Sequence, residues 1–181
     1  QALGTIGDIG VFSFFSNKNL ATGEGGMVVT RDPKFVDKLR LLRSHGMTTL
    51  TLERHRGHAY SYDVVDLGFN YRLDEMRSAL GLSQLARLPE GNRKRADVVA
   101  GYIARLGQRL PEVVVPFAGR VPQGRTAHHI FPVLLPAGTA RTKVQDGMKQ
   151  AGIQTSIHYP PIHTFTFHKD RSEEHTSELQ S

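Results

Sequence analysis

The sequence predicts an α/β protein, and three observations carry that reading. Two short apolar runs of strand character, IGVFSFF over residues 9–15 and GGMVVT over 25–30, stand near the start. A capped amphipathic helix pattern follows them directly. Beyond about residue 70 the periodicity turns helical, and only later does another strand-like run precede a further helix. This order implies the end of an α/β domain over 1–70, linking helices over 71–108 and a small α+β domain over 109–170.

The elements follow in order. IGVFSFF is apolar enough for a buried strand and GGMVVT for a second. In TRDPKFVDKLRLLRSHG, Asp32 is placed to cap a helix and Pro33 suits its first position. Phe35, Val36, Leu39 and Leu42 form its apolar face, and Gly46 marks its stop. Residues 47–66 read as a long polar loop, a kind that often carries function. Leu73, Met76, Leu80 and Leu85 recur at helical steps. A separate helix is expected over about 90–108, with Val98, Val99, Tyr102, Ile103 and Leu106 inward. Pro111 and Pro116 bracket an extended piece, and HIFPVLLP reads as a strand with Pro132 at an edge or bulge. TARTKVQDGMKQAGI reads as a helix ending near Gly152, with Val144 and Met148 facing a core. QTSIHYPPIH is expected to be extended, stiffened by Pro160 and Pro161.

The last stretch, RSEEHTSELQS over 171–181, has Leu179 as its only aliphatic residue and no periodicity. It resembles the in-frame translation of a sequencing-library adapter and is set aside as an artefactual tail. The expectation is a fragment, truncated at both ends.

The chain has 181 residues, 39% of them hydrophobic, enough for a core. It has no cysteine, which excludes disulfides, thiolate zinc sites and iron–sulfur clusters. No apolar run approaches the roughly 18 residues of a membrane span, and QALGTIGDIG lacks the basic and apolar regions of a secretory signal. Localisation is therefore expected to be cytoplasmic, with no membrane partner. The net charge of +6 is dispersed along the chain, without the basic stripe that follows a nucleic-acid backbone. A phosphorylated small molecule suits it better.

The chemistry centres on FSFFSNKNLATGEGG, residues 12–26. Lys18 ends an apolar run, and removing an ammonium from water favours its neutral, nucleophilic form. Such an amine condenses with carbonyls. Ser13 and the backbone amides of Gly23, Gly25 and Gly26 are candidates for a phosphate contact. An aldehyde and a phosphate on one small molecule describe pyridoxal 5′-phosphate. By spacing alone, a solvated lysine in a turn remains the commoner reading. His158, His163 and His168 follow five-residue steps rather than the i, i+4 spacing of a helical metal site, so no metal is expected.

FSFFSNKNLATGEGG closely resembles the lysine segment of the DegT/DnrJ/StrS family of pyridoxal-phosphate-dependent sugar aminotransferases. That segment usually reads Phe-Ser-Phe-His, two residues, Lys-Asn-Leu, then Thr-Gly-Glu-Gly-Gly; here Phe15 stands in the place of the His. GDIGVFSF, RSHG, LGFNYRLDEMRSALGLSQL and GIQTSIHYPPIH follow in the family order, and the resemblance extends from residue 1 to about 167.

The resemblance implies a fold-type-I transferase fold: the C-terminal part of the large cofactor domain and most of a small domain. It gives Lys18 the catalytic position that bonds the cofactor aldehyde, and Ser13 a phosphate contact. Asn70 takes the position that reaches the phosphate of the partner subunit's cofactor in a homodimer with shared active sites. Arg72, His158, Tyr159 and His163 fall on the substrate side. The implied reaction moves an amino group from a donor such as glutamate to a nucleotide-linked keto sugar, in amino-sugar, polysaccharide or antibiotic biosynthesis. Relatives that dehydrate sugars carry histidine in place of the lysine, and Lys18 argues against that branch. The alternative is a non-catalytic regulatory or ligand-binding relative of the same fold. QALG resembles the residues just after a Glu-Asp-Ala-Ala motif whose Asp pairs with the pyridine nitrogen, so the fragment itself is expected to be inactive.

Overall fold

A computed structural model of the chain describes residues 2–48, 57, 61–119 and 126–168. The tail over 171–181 and most of the loop expected over 47–66 lie outside these residues. The chain forms two compact units: Gln1–Pro111 with Val115–Pro132, and Glu112–Val114 with Val133–Ser181.

In the first unit β1 (Ile9–Ser13) pairs antiparallel with β2 (Gly26–Thr30), placing Ile9 opposite Thr30 and Ser13 opposite Gly26. The strand is shorter than IGVFSFF, and it is not buried: Val11 is 73% exposed. A two-stranded ribbon has two faces, and among the described helices and strands α1 (Pro33–Arg43) rests against β2.

Helix α1 starts as its sequence requires. Asp32 Oδ1 accepts from the Lys34 N–H at 2.9 Å, with Pro33 in the first turn, a cap of a kind that contributes about 1 kcal/mol. Val36, Leu39 and Leu42 are half-buried, while Phe35 stays exposed. At the other end the Gly46 N–H returns to Leu41 O at 2.9 Å, with Gly46 at φ +69°. The last carbonyls of α1 would lack intrahelical partners. The segment 69–71 supplies them: the Phe69 N–H donates to Leu42 O at 2.7 Å and the Tyr71 N–H to Arg43 O at 3.0 Å. His45 N–H donates in turn to Phe69 O at 2.9 Å, and Val65 N–H to Gly46 O at 2.9 Å.

The helix end and this returning segment meet backbone to backbone. A Cβ at Gly68 would lie 2.0 Å from Gly46 N and 2.4 Å from His45 C, so no side chain fits there. Ser44, 2% exposed, is enclosed by the same contact. At its edge the Lys38 ammonium pairs with Asp66. That hydrogen bond, with the Leu67 N–H as a second donor, holds the Asp66 carboxyl below its ordinary range.

Helix α2 (Glu75–Arg109) is one continuous 35-residue helix, capped by Asp74, where the sequence reads two. It runs through Pro89, which lacks an N–H for the ladder. Pro89 and the polar residues 90–95 interrupt the apolar pattern between the two expected helices, so the sequence shows a break where the backbone continues. Charged pairs stand at helical spacing there: Glu90 with Arg93 at 2.8 Å and Arg93 with Asp97 at 3.1 Å. Tyr102 stacks on Phe131 with ring centres 5.1 Å apart, bringing the segment 127–131 back to this helix.

HIFPVLLP, which passes from the first unit into the second after Pro132, is not a strand. It contributes a single bridge, in which Val114 and Leu134 exchange N–H···O bonds of 3.0 and 2.8 Å. Pro132 and Pro136 remove donors on either side, which stops the ladder. Helix α3 (Arg141–Gln150) forms as expected and closes at Gly152, and a 3₁₀ turn spans Ile162–Thr164 within the otherwise irregular QTSIHYPPIH region.

No hydrophobic side chain among the described residues is fully buried; the most enclosed side chains belong to Thr22 and Ser44. The apolar faces expected at Val98, Tyr102 and Val144 are present as faces but remain open.

Candidate active site

The hairpin between β1 and β2 is drawn in by its own backbone. The Phe14 N–H donates to Gly25 O at 2.9 Å, and the Thr22 N–H donates to Phe14 O at 2.8 Å. Within this frame the Lys18 N–H closes a turn onto Phe15 O at 2.9 Å, and the Lys18 side chain is half-buried. Ser13 ends β1 on the exposed side, with its hydroxyl oxygen 3.3 Å from the Phe15 N–H. Ser13 and Lys18 thus belong to one backbone-tied turn.

Gly25 adopts φ +144°, open to glycine and strained for other residues. A Cβ there would stand 2.9 Å from Thr22 Oγ1 and 3.0 Å from Leu73 Cδ1. Thr22, 3% exposed, donates its hydroxyl to Glu24 O at 2.8 Å. Helix α2 passes over it at Gly81, where a Cβ would come within 3.2 Å of Thr22 Cγ2. The glycine-rich turn is therefore seated between Leu73 and α2.

Asn70 bridges to Ser44 and is exposed. Its neighbours Phe69 and Tyr71 stack with ring centres 4.9 Å apart. Arg72 is exposed, next to Leu73. The chain thus leads from Asn70 to the Leu73 contact beneath the lysine hairpin. His158, Tyr159 and His163 belong to the second unit and are exposed. His158 and Tyr159 lie ring to ring at 4.7 Å, Ser156 Oγ is 3.5 Å from His158 Nδ1, and His163 sits in the 3₁₀ turn. Among the described residues, no cluster of three His, Asp or Glu is placed to hold a metal. No helix there is long and apolar enough to cross a membrane.

Sequence reasoning passed over Asn19. Its Nδ2 donates to Asn92 Oδ1 at 3.0 Å and to Ala127 O at 2.6 Å, and its Oδ1 lies 3.1 Å from His129 Nδ1. His129 is thereby tied to the hairpin.

The profile of the DegT/DnrJ/EryC1/StrS aminotransferase family matches residues 1–181. The chain belongs to this family. Among curated members, it is 35% identical over 174 residues to the spore coat polysaccharide biosynthesis protein SpsC of Bacillus subtilis, covering 93% of this chain and 44% of that protein. It is 37% identical over 168 residues to GDP-perosamine synthase of Caulobacter vibrioides, covering 88% and 41%. Among solved structures, Helicobacter pylori PseC, an aminotransferase involved in the biosynthesis of pseudoaminic acid, superposes with a TM-score of 0.79 at 29% identity, covering 94% of this chain and 44% of PseC. The chain thus spans less than half the length of these relatives, and its fold is the corresponding part of the fold-type-I transferase architecture. The family is one of aminotransferases.

Proposed function

We propose that this chain carries the lysine-bearing part of a pyridoxal-phosphate-dependent sugar aminotransferase, acting on a nucleotide-linked keto sugar. The observation that carries the reading is Lys18, a half-buried residue whose N–H closes onto Phe15 O, the residue whose own N–H lies 3.3 Å from the Ser13 hydroxyl oxygen. This donor set fits the cofactor, with an amine for the aldehyde and a hydroxyl with turn amides for the phosphate. Relatives that include a polysaccharide biosynthesis protein, a GDP-perosamine synthase and an aminotransferase of pseudoaminic acid biosynthesis support a sugar substrate.

When bound, pyridoxal phosphate supplies an aldehyde that exchanges amines and a ring that draws electrons from the neighbouring carbon. Lys18 would hold it covalently through Nζ at rest. With a donor such as glutamate bound, Lys18 Nζ would serve as the base that accepts the donor's α-proton and would return a proton to complete the transfer. Ser13 binds the phosphate. Asn70, exposed and fixed by its bridge to Ser44, reaches the phosphate end of a partner subunit's cofactor in a homodimer. Arg72, His158, Tyr159 and His163 serve the nucleotide sugar. The domain boundaries that go with this reading are 1–70, 71–108 and 109–170, and the setting is the cytoplasm.

The 181-residue chain alone is not expected to turn over, since its described apolar faces lie open and need the rest of the enzyme to cover them. The test is amino transfer by the full-length protein with cofactor, glutamate and a panel of UDP-, GDP- and dTDP-linked keto sugars. An aminated sugar with matching release of 2-oxoglutarate is the expected result. No transfer from any donor, with a cofactor spectrum unmoved by glutamate, would favour a non-catalytic relative.

A further inference from the structure

We infer that Asn19 is the positioning residue for Lys18, holding the lysine turn against α2 and the segment 127–129; this rests on the proposed role of Lys18. Asn19 shares a peptide unit with Lys18, so fixing its side chain fixes the backbone from which the lysine stem departs. Its three partners stand 73, 108 and 110 residues away in sequence. Lys18 itself is tied by the short-range bond from its N–H to Phe15 O.

The direction of each bond is set. The Ala127 carbonyl only accepts, so the atom 2.6 Å from it is the Asn19 amide nitrogen. That nitrogen's second hydrogen goes to Asn92 Oδ1 at 3.0 Å. The Asn19 oxygen then faces His129 Nδ1 at 3.1 Å and can only accept, which places a proton on Nδ1. Close packing is not what holds Asn19. It borders an open cleft of about 140 Å³ shared with Gln84, Arg87, Gly91 and Arg95. An isosteric change that reverses hydrogen-bond polarity therefore isolates the effect.

Asn19→Asp replaces the donor with an oxygen facing the Ala127 carbonyl. Asn92 can turn its amide to suit, and the backbone carbonyl cannot. In the full-length holoenzyme, N19D is expected to lower kcat about tenfold or more with KM for the sugar within about twofold. It should also shift the pH midpoint of the lysine–cofactor chromophore by about half a unit or more. N92D keeps an acceptor for Asn19, and its loss should be at least about fivefold smaller than that of N19D. If N19D does not fold, N92A takes its place, with kcat down about threefold and the chromophore midpoint moved. A folded N19D or N92A protein with an unmoved kcat and midpoint overturns the inference, as does a lowered melting temperature without those changes. Borohydride labelling of the unsubstituted protein separates the two readings. A label away from Lys18 sinks the proposed function. A label on Lys18, with kinetics indifferent to Asn19, sinks only this inference.

Discussion

Replacing Lys18 with alanine or arginine in the full-length enzyme is expected to lower amino transfer by at least about a thousandfold. Alanine keeps the backbone N–H that closes the turn onto Phe15, so the hairpin should stay formed. Arginine keeps the positive charge, yet its guanidinium does not become a neutral nucleophile near neutral pH. If Lys18 were only a solvated charge near a phosphate, arginine would keep most of the activity. Under the proposed role both variants fail alike, and an added small primary amine should restore part of the rate to the alanine variant. The measurement is steady-state amino transfer with and without that amine, alongside a circular dichroism spectrum to show that the fold persists. Activity retained by the arginine variant would remove Lys18 from the chemistry.

The largest effect on stability is expected from Gly68→Ala. The added Cβ would fall 2.0 Å from Gly46 N and 2.4 Å from His45 C, and both contacts are backbone. Relief requires the end of α1 and the segment 63–71 to separate. That breaks the bonds from Phe69 to Leu42 and from His45 to Phe69, which supply the helix end with partners. We expect a loss of about 3 kcal/mol, at the upper end of overpacking effects, read as a lower denaturant midpoint. Because Asn70 is placed by the same contact, cofactor affinity should fall as well. A Gly68→Ala enzyme with an unchanged midpoint would mean that the two segments do not meet in this way.

Local signals carried much of the first unit. Asp32, Pro33 and Gly46 bound α1 as their chemistry requires, because capping and chain reversal are decided within a few residues. The lysine hairpin was legible for the same reason: alternating apolar residues, then glycines where the backbone turns. What stayed hidden depends on distant partners. Nothing near Asn19 announces Asn92, Ala127 and His129, and nothing near Gly68 announces Gly46. The continuity of α2 was missed because Pro89 and the polar residues 90–95 interrupt the apolar pattern on either side of them. HIFPVLLP misled in the other direction, since its apolar content suits a strand while its prolines deny it a ladder. IGVFSFF was read as buried because burial is a property of the layer that covers a strand, and the described residues leave Val11 open.

The central claim is that Lys18 is the residue that bonds the cofactor. Its most direct test is borohydride reduction of the full-length protein with pyridoxal phosphate, followed by proteolysis and mapping of the labelled peptide. The predicted result is a single label on Lys18 within FSFFSNKNLATGEGG. A label on Lys34, Lys38 or any other lysine, or no label at all, would contradict it.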